Sequence, residues 1–145
     1  MIREFIADTL NQNFALLDKY PNYVFNFSGS RRYEMMQEYY PAQFQRLKKY
    51  IASGSWFPAG SSVDEGDSVV PSTESLIRQI LYGNHYFRRE FGIASDEFML
   101  PDCFGFPAGL PSILAHAGIK GFFHTEAHMG FRRRCSVQSR RVARP

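Results

Sequence analysis

Apolar positions recur at helical spacing through much of the chain and give way to short apolar or alternating runs at the breaks. Ile6, Leu10, Phe14 and Leu17 mark one face of a first helix, which Tyr20-Pro21-Asn22 ends before the alternating run Tyr23-Val24-Phe25-Asn26-Phe27, read as a strand. A second helical stretch covers residues 31–51, interrupted at Pro41. Tyr33, Met36, Tyr40, Phe44, Leu47 and Ile51 form its apolar side, and Ser53-Gly54 closes it. Trp56-Phe57-Pro58-Ala59-Gly60 reads as a strand end and residues 61–70 as a loop. The next helix, 74–91, takes Ser72 as N-cap and pairs Glu74 with Arg78 at i,i+4. It carries Leu76, Ile77, Ile80, Leu81 and Phe87 as its apolar set and stops at Gly92. Helices alternating with short strands make this an α/β chain, with no internal repeat, low-complexity linker or boundary before residue 123.

The segment with the most chemistry follows. Phe98-Met99-Leu100 reads as a buried strand, and Leu110 to Ile119 as a short helix ending at Gly118. Between them stands Pro101-Asp102-Cys103-Phe104-Gly105-Phe106, which puts one carboxylate where apolar chain passes into a Gly-containing loop. An α/β enzyme holds its nucleophile or metal ligand at such a strand end. From the residues alone, a turn former or helix cap is the favoured reading of Asp102.

The run FMLPDCFGFPAGLPSILAHAGIKGF, with PSTESLIRQILYGNHYFRREFG upstream, resembles glycoside hydrolase family 38, the zinc-dependent retaining α-mannosidases. The similarity extends over about residues 5–122. The resemblance implies a partial parallel β/α barrel of the family's catalytic-domain type, acting on terminal α-D-mannosides of mannose-containing glycans. It gives Asp102 a double role, as the nucleophile of a covalent mannosyl intermediate and as one zinc ligand. This agrees with the two carboxyl groups a retaining glycosidase needs and with the oxygen and imidazole ligands zinc takes. Glu65 and Asp67 match an acidic E-x-D loop near the family's sugar pocket, and Phe104 matches a Phe close to the bound mannose.

The resemblance also marks what this chain lacks. The family's His-x-Asp pair near the start of the catalytic domain, its downstream zinc-binding His and its acid/base carboxylate have no counterpart here. The expectation is a truncated, inactive piece, with zinc a cofactor of the full-length family that this piece does not bind. No specific nucleic-acid partner and no membrane partner are expected.

Two readings stay open beside these. Asp64, Glu65 and Asp67 form a solvated loop if they do not serve a sugar, since their spacing lacks the rest of a calcium loop. Phe104 is a core residue if it does not stack on a sugar face. Gly105 permits the tight turn.

The 145 residues suit one domain with a real core, although the barrel that the chain resembles is considerably longer. The net charge of +3 misleads: residues 131–145 hold six Arg and no acid, while residues 1–130 hold 11 Lys and Arg against 14 Asp and Glu. The compositional break falls where the family resemblance fails. One codon set for Phe122 to Gly130, shortened by a single T, encodes FSTQKHTWG, close to the family's continuation. Residues 1–122 are therefore read as part of the catalytic domain, and 123–145 as an out-of-frame, disordered Arg-rich tail. The alternative function is a small basic module that binds polyanions weakly through that tail.

The remaining candidates carry little. Cys103 and Cys135 support neither a disulfide framework nor a CxxC site. His124 and His128 would share one face only on a helix, and the Glu of HExxH is absent between them. His85 and His116 lie in expected helices without spaced partners. The N-terminal MIREFIADTL is amphipathic and contains no signal-like or membrane-spanning run.

Overall fold

A computed structural model describes residues 2–124, with the side chains from Glu4 onward. The order is α1 (Ile2–Lys19), β1 (Phe25–Ser28), α2 (Ser30–Tyr39), α3 (Pro41–Ala52), β2 (Trp56–Ala59), α4 (Thr73–Phe91), β3 (Glu97–Leu100), α5 (Leu110–His116) and β4 (Gly121–His124). β1 pairs with β2 and β3 with β4, both parallel, in two two-stranded sheets. A parallel pair needs a helical crossover, supplied by α2 and α3 for the first and by α5 for the second. The result is a mixed α/β fold with parallel strands; among the described residues the strands do not close into a barrel.

Local chemistry accounts for the boundaries. The Tyr23 amide bonds to the Tyr20 carbonyl at 3.0 Å, so the turn takes up Tyr23 and β1 starts at Phe25. Pro41, unable to continue a helix but suited to the start of one, separates α2 from α3. The Ser72 hydroxyl accepts from the Ser75 amide at 3.3 Å, and Glu74 meets Arg78 at 2.8 Å. β4 runs through Phe123 and His124; the rest of the expected tail lies outside the described residues.

Two cores result. The first gathers Ile6, Leu10, Phe14 and Leu17 of α1, Tyr33 and Met36 of α2, Phe44, Leu47 and Ile51 of α3, and Tyr86 and Phe87 of α4 around Trp56. Trp56 meets the Phe25 ring edge-on at 4.7 Å and donates its indole N–H to the Tyr33 hydroxyl at 2.9 Å. That hydroxyl donates onward to the Phe27 carbonyl at 2.7 Å, so the polar atoms in this aromatic interior are satisfied. Burial pushes the Tyr33 hydroxyl far above the ordinary tyrosine pKa. The second core joins Ile80 of α4 to Phe98, Leu100, Cys103, Leu110, Leu114 and Ile119.

One part of the expected apolar set of α4 differs. Ile77 and Leu81 are 44% and 57% exposed, because the buried stripe turns toward Leu76, Ile80, Gly83, Asn84 and Phe87. Ile77 and Leu81 instead line a groove of about 470 Å³ with Ile113, His116 and Ala117 of α5. No described helix is long and apolar enough to cross a membrane.

Candidate active site at the strand ends

The candidate residues come from two loops, 61–70 after β2 and 101–109 after β3, and the structure packs these against each other. Ser68 donates its hydroxyl to the Gly105 carbonyl at 2.8 Å, and the Cys103 thiol points at the Gly66 carbonyl at 3.6 Å. A side chain on Gly105 would meet Val69 at 3.7 Å, and Gly105 itself has φ 125°, a conformation that only glycine adopts without strain. The loops after β2 and β3 thus meet beyond the C-terminal ends of their strands, the position where α/β folds place their chemistry.

The backbone below is pinned from two directions. Gly83 of α4 lies so close to the loop that a β-carbon would sit 2.4 Å from the Ser62 carbonyl carbon. Asn84 then holds the start of β3 with a reciprocal pair, donating to the Ser95 carbonyl and accepting from its amide, each at 3.0 Å. Ser61 reaches across from the end of β2 to donate to the Ser95 carbonyl at 2.8 Å and to that of Glu97.

Each carboxylate on these loops is held differently. Asp102 is exposed just beyond β3, with the buried Leu100 and Cys103 anchoring the chain on either side. Asp67 accepts the Val69 and Val70 amides on one oxygen, at 2.6 and 3.0 Å. These bonds, the one from Val70 foremost, hold its carboxyl below the usual aspartate range. Glu65 turns toward β1. It accepts the Ser28 hydroxyl and lies 3.4 Å from the Arg32 guanidinium. Phe104 is 94% exposed, which removes the core alternative for it.

A carboxylate on an exposed strand-end loop can attack an electrophilic carbon, and an exposed ring beside it can cover the apolar face of a sugar. A metal fits less well. Zinc takes three or four protein ligands, and no group of three His, Cys, Asp or Glu suited to a metal occurs among the described residues. His124 ends β4 opposite Leu100, with its ring centroid 5.1 Å from that of Phe106. It is therefore on a strand and not a helix, and His128 lies outside the described residues. His85 and His116 are exposed on α4 and α5.

Periodicity and motif spacing do not single out Ser28, Arg32, Ser68, Gly83 or Asn84. Asn84 alone left a trace, as an amide within the buried stripe of α4, where a polar side chain needs a partner.

Residues 2–138 match the family described as glycosyl hydrolases family 38 N-terminal domain. The chain is 38% identical over 120 residues to "Alpha-mannosidase G" of Dictyostelium discoideum, covering 83% of this chain and 11% of that protein. It is 36% identical over 107 residues to "Alpha-mannosidase 2C1" of Homo sapiens, covering 74% of this chain and 10% of that one. The fold resembles that of an α-mannosidase from Enterococcus faecalis V583 with a TM-score of 0.71 at 19% identity, over 85% of this chain and 13% of the other. The chain thus spans about a tenth of the length of the curated relatives it matches, and it belongs to glycosyl hydrolase family 38, within the N-terminal domain of that family.

Proposed function

We propose that this chain is the nucleophile-bearing part of a retaining α-mannosidase acting on mannose-containing glycans, with Asp102 as the nucleophile. The observation that carries the reading is the exposure of Asp102 on the loop after β3, locked by Ser68 and Gly105 to the acidic loop after β2. Family membership over residues 2–138 favours this over a polyanion-binding module.

In the first step a carboxylate oxygen of Asp102 bonds to the anomeric carbon as the bond to the leaving oxygen breaks. That oxygen takes a proton from a second carboxyl group, and water then hydrolyses the glycosyl ester with the second group acting as base. We assign the second carboxyl group to the part of the longer enzyme that this chain does not cover. Glu65 and Asp67 are assigned to hydroxyl contacts and Phe104 to stacking on the sugar. The two parallel pairs form part of a β/α barrel in the whole enzyme. The described residues do not fit a zinc site by themselves. Without the second carboxyl group the 145-residue chain alone does not hydrolyse mannosides.

The test uses an α-mannosyl fluoride whose ring fluorine slows ester hydrolysis, applied to a full-length enzyme that includes this segment. The expected label lies on the peptide containing Asp102 and is lost in Asp102→Asn. A label on another carboxylate, with Asp102→Asn nearly as active as the parent, overturns the assignment.

A further inference from the structure

We propose that Arg32 is a positioning residue for Glu65, fixing that carboxylate where it can accept a hydrogen bond from a sugar hydroxyl. The inference rests on the reading of Glu65 as a sugar contact given above and adds the group that sets its geometry.

Arg32 lies in the first turn of α2, just past the end of β1. Its Nη1 donates to the Ser28 carbonyl at 3.0 Å and contacts the Ser28 hydroxyl at 3.1 Å. The same nitrogen stands 3.4 Å from Glu65 Oε1, and Nη2 stands 3.6 Å from Asp64. The guanidinium carbon sits 5.6 Å from the Phe27 ring centroid, so the group is braced from below as well. Glu65 Oε1 is therefore shared by two donors, a neutral hydroxyl and a cation, and both are tied to the end of β1.

General loop order has other supports. The Ser30 amide bonds to the Ser62 carbonyl and the Arg31 amide to the Val63 carbonyl, each at 3.0 Å, and Gly83 presses on Ser62 from α4. These contacts, with the Asp64 amide donating to the Gln79 side-chain oxygen at 3.1 Å, hold the backbone as far as Asp64. What Arg32 adds is the placement of the side chains of Asp64 and Glu65. A planar guanidinium meets the Ser28 carbonyl, Glu65 and Asp64 with two nitrogens at once, whereas a lysine ammonium is a single point of charge.

The experiment follows backbone hydrogen exchange by mass spectrometry in a full-length enzyme that includes this segment, with and without methyl α-D-mannopyranoside. The parent enzyme is expected to show slower exchange in residues 64–67 when the sugar is present. Arg32→Met keeps the stem over Phe27 and is expected to lose that protection, with exchange at residues 64–67 several-fold faster and residues 6–17 and 44–51 unchanged. Arg32→Lys recovers part of the protection. Glu65→Gln keeps the slow exchange of the free enzyme but loses the response to sugar.

Unchanged exchange at residues 64–67 in Arg32→Met overturns the positioning role directly. Faster exchange with the sugar response intact overturns it as well, since Arg32 would then order the loop without serving Glu65. A sugar response retained in Glu65→Gln, or absent from the parent enzyme, traces the failure to the reading of Glu65, and the proposal falls with it.

Discussion

The Ser68 hydroxyl lies 2.8 Å from the Gly105 carbonyl and joins two loops that stand 37 positions apart in sequence. Ser68 is 1% exposed, so its hydroxyl has no water to turn to when this bond is lost. Ser68→Ala is expected to cost about 1 kcal/mol, read as a lower urea midpoint, with faster hydrogen exchange confined to residues 66–70 and 101–106. Uniform acceleration along the chain would show that the bond does not specifically join these loops.

Gly83→Ala is expected to be far more damaging than an ordinary helix substitution to alanine, the best helix former. The new β-carbon would overlap the Ser62 backbone at 2.4 Å and the Ser61 carbonyl oxygen at 2.5 Å, and backbone cannot swing aside as a side chain can. The expected loss is about 2–3 kcal/mol, measured by urea unfolding. Gly66→Ala serves as the control, because nothing lies within 4 Å of its would-be β-carbon. Equal effects of the two substitutions would refute the close-approach argument.

Tyr33→Phe leaves the indole N–H of Trp56 and the carbonyl of Phe27 without their buried partner. A cost of about 1–3 kcal/mol is expected. Trp56 is the sole tryptophan of the chain, so a shift of its emission reports the change directly.

Alkali should act through the same residue. Burial raises the folded pKa of both Tyr33 and Tyr86 above the ordinary tyrosine value of about 10, so the folded chain keeps protons that the unfolded chain releases. The sign follows: this contribution to stability is complete below about pH 10 and declines as pH rises toward the folded values. Urea midpoints between pH 8 and pH 11 should therefore fall on the alkaline side, less steeply in Tyr33→Phe. A midpoint that does not change with pH would contradict the burial of these hydroxyls.

Zinc added to the 145-residue chain is expected to bind no more tightly than to any surface carboxylate, as measured by equilibrium dialysis. Stoichiometric uptake at micromolar free zinc, abolished by Asp102→Ala, would establish a metal site in this chain.

The parts of the fold that came from local rules were legible in the sequence. Ser72 and Gly92 bracket α4 as capping chemistry requires, and Pro41 divides α2 from α3. Ile6, Leu10, Phe14 and Leu17 are all buried, as their spacing indicated. The place of Asp102 just past a strand end was legible because an apolar run stops beside it. What periodicity could not reveal was pairing at a distance. Ser28 with Glu65, Ser68 with Gly105 and Gly83 with Ser62 depend on which loops meet, and a single serine or glycine looks the same whether or not it has a distant partner. Ile77 and Leu81 show the converse, since an apolar residue on a helix is buried only where a neighbouring element covers it.

The division into two cores also has a consequence for how the chain emerges during synthesis. Every fully buried member of the first core lies between Ile6 and Phe87. The second takes only Ile80 from that stretch, the remainder lying between Phe98 and Ile119. The aromatic cluster around Trp56 is thus complete once α4 has left the ribosome, before β3 has been translated. Asp102 is added afterwards, onto a base that can already be in place.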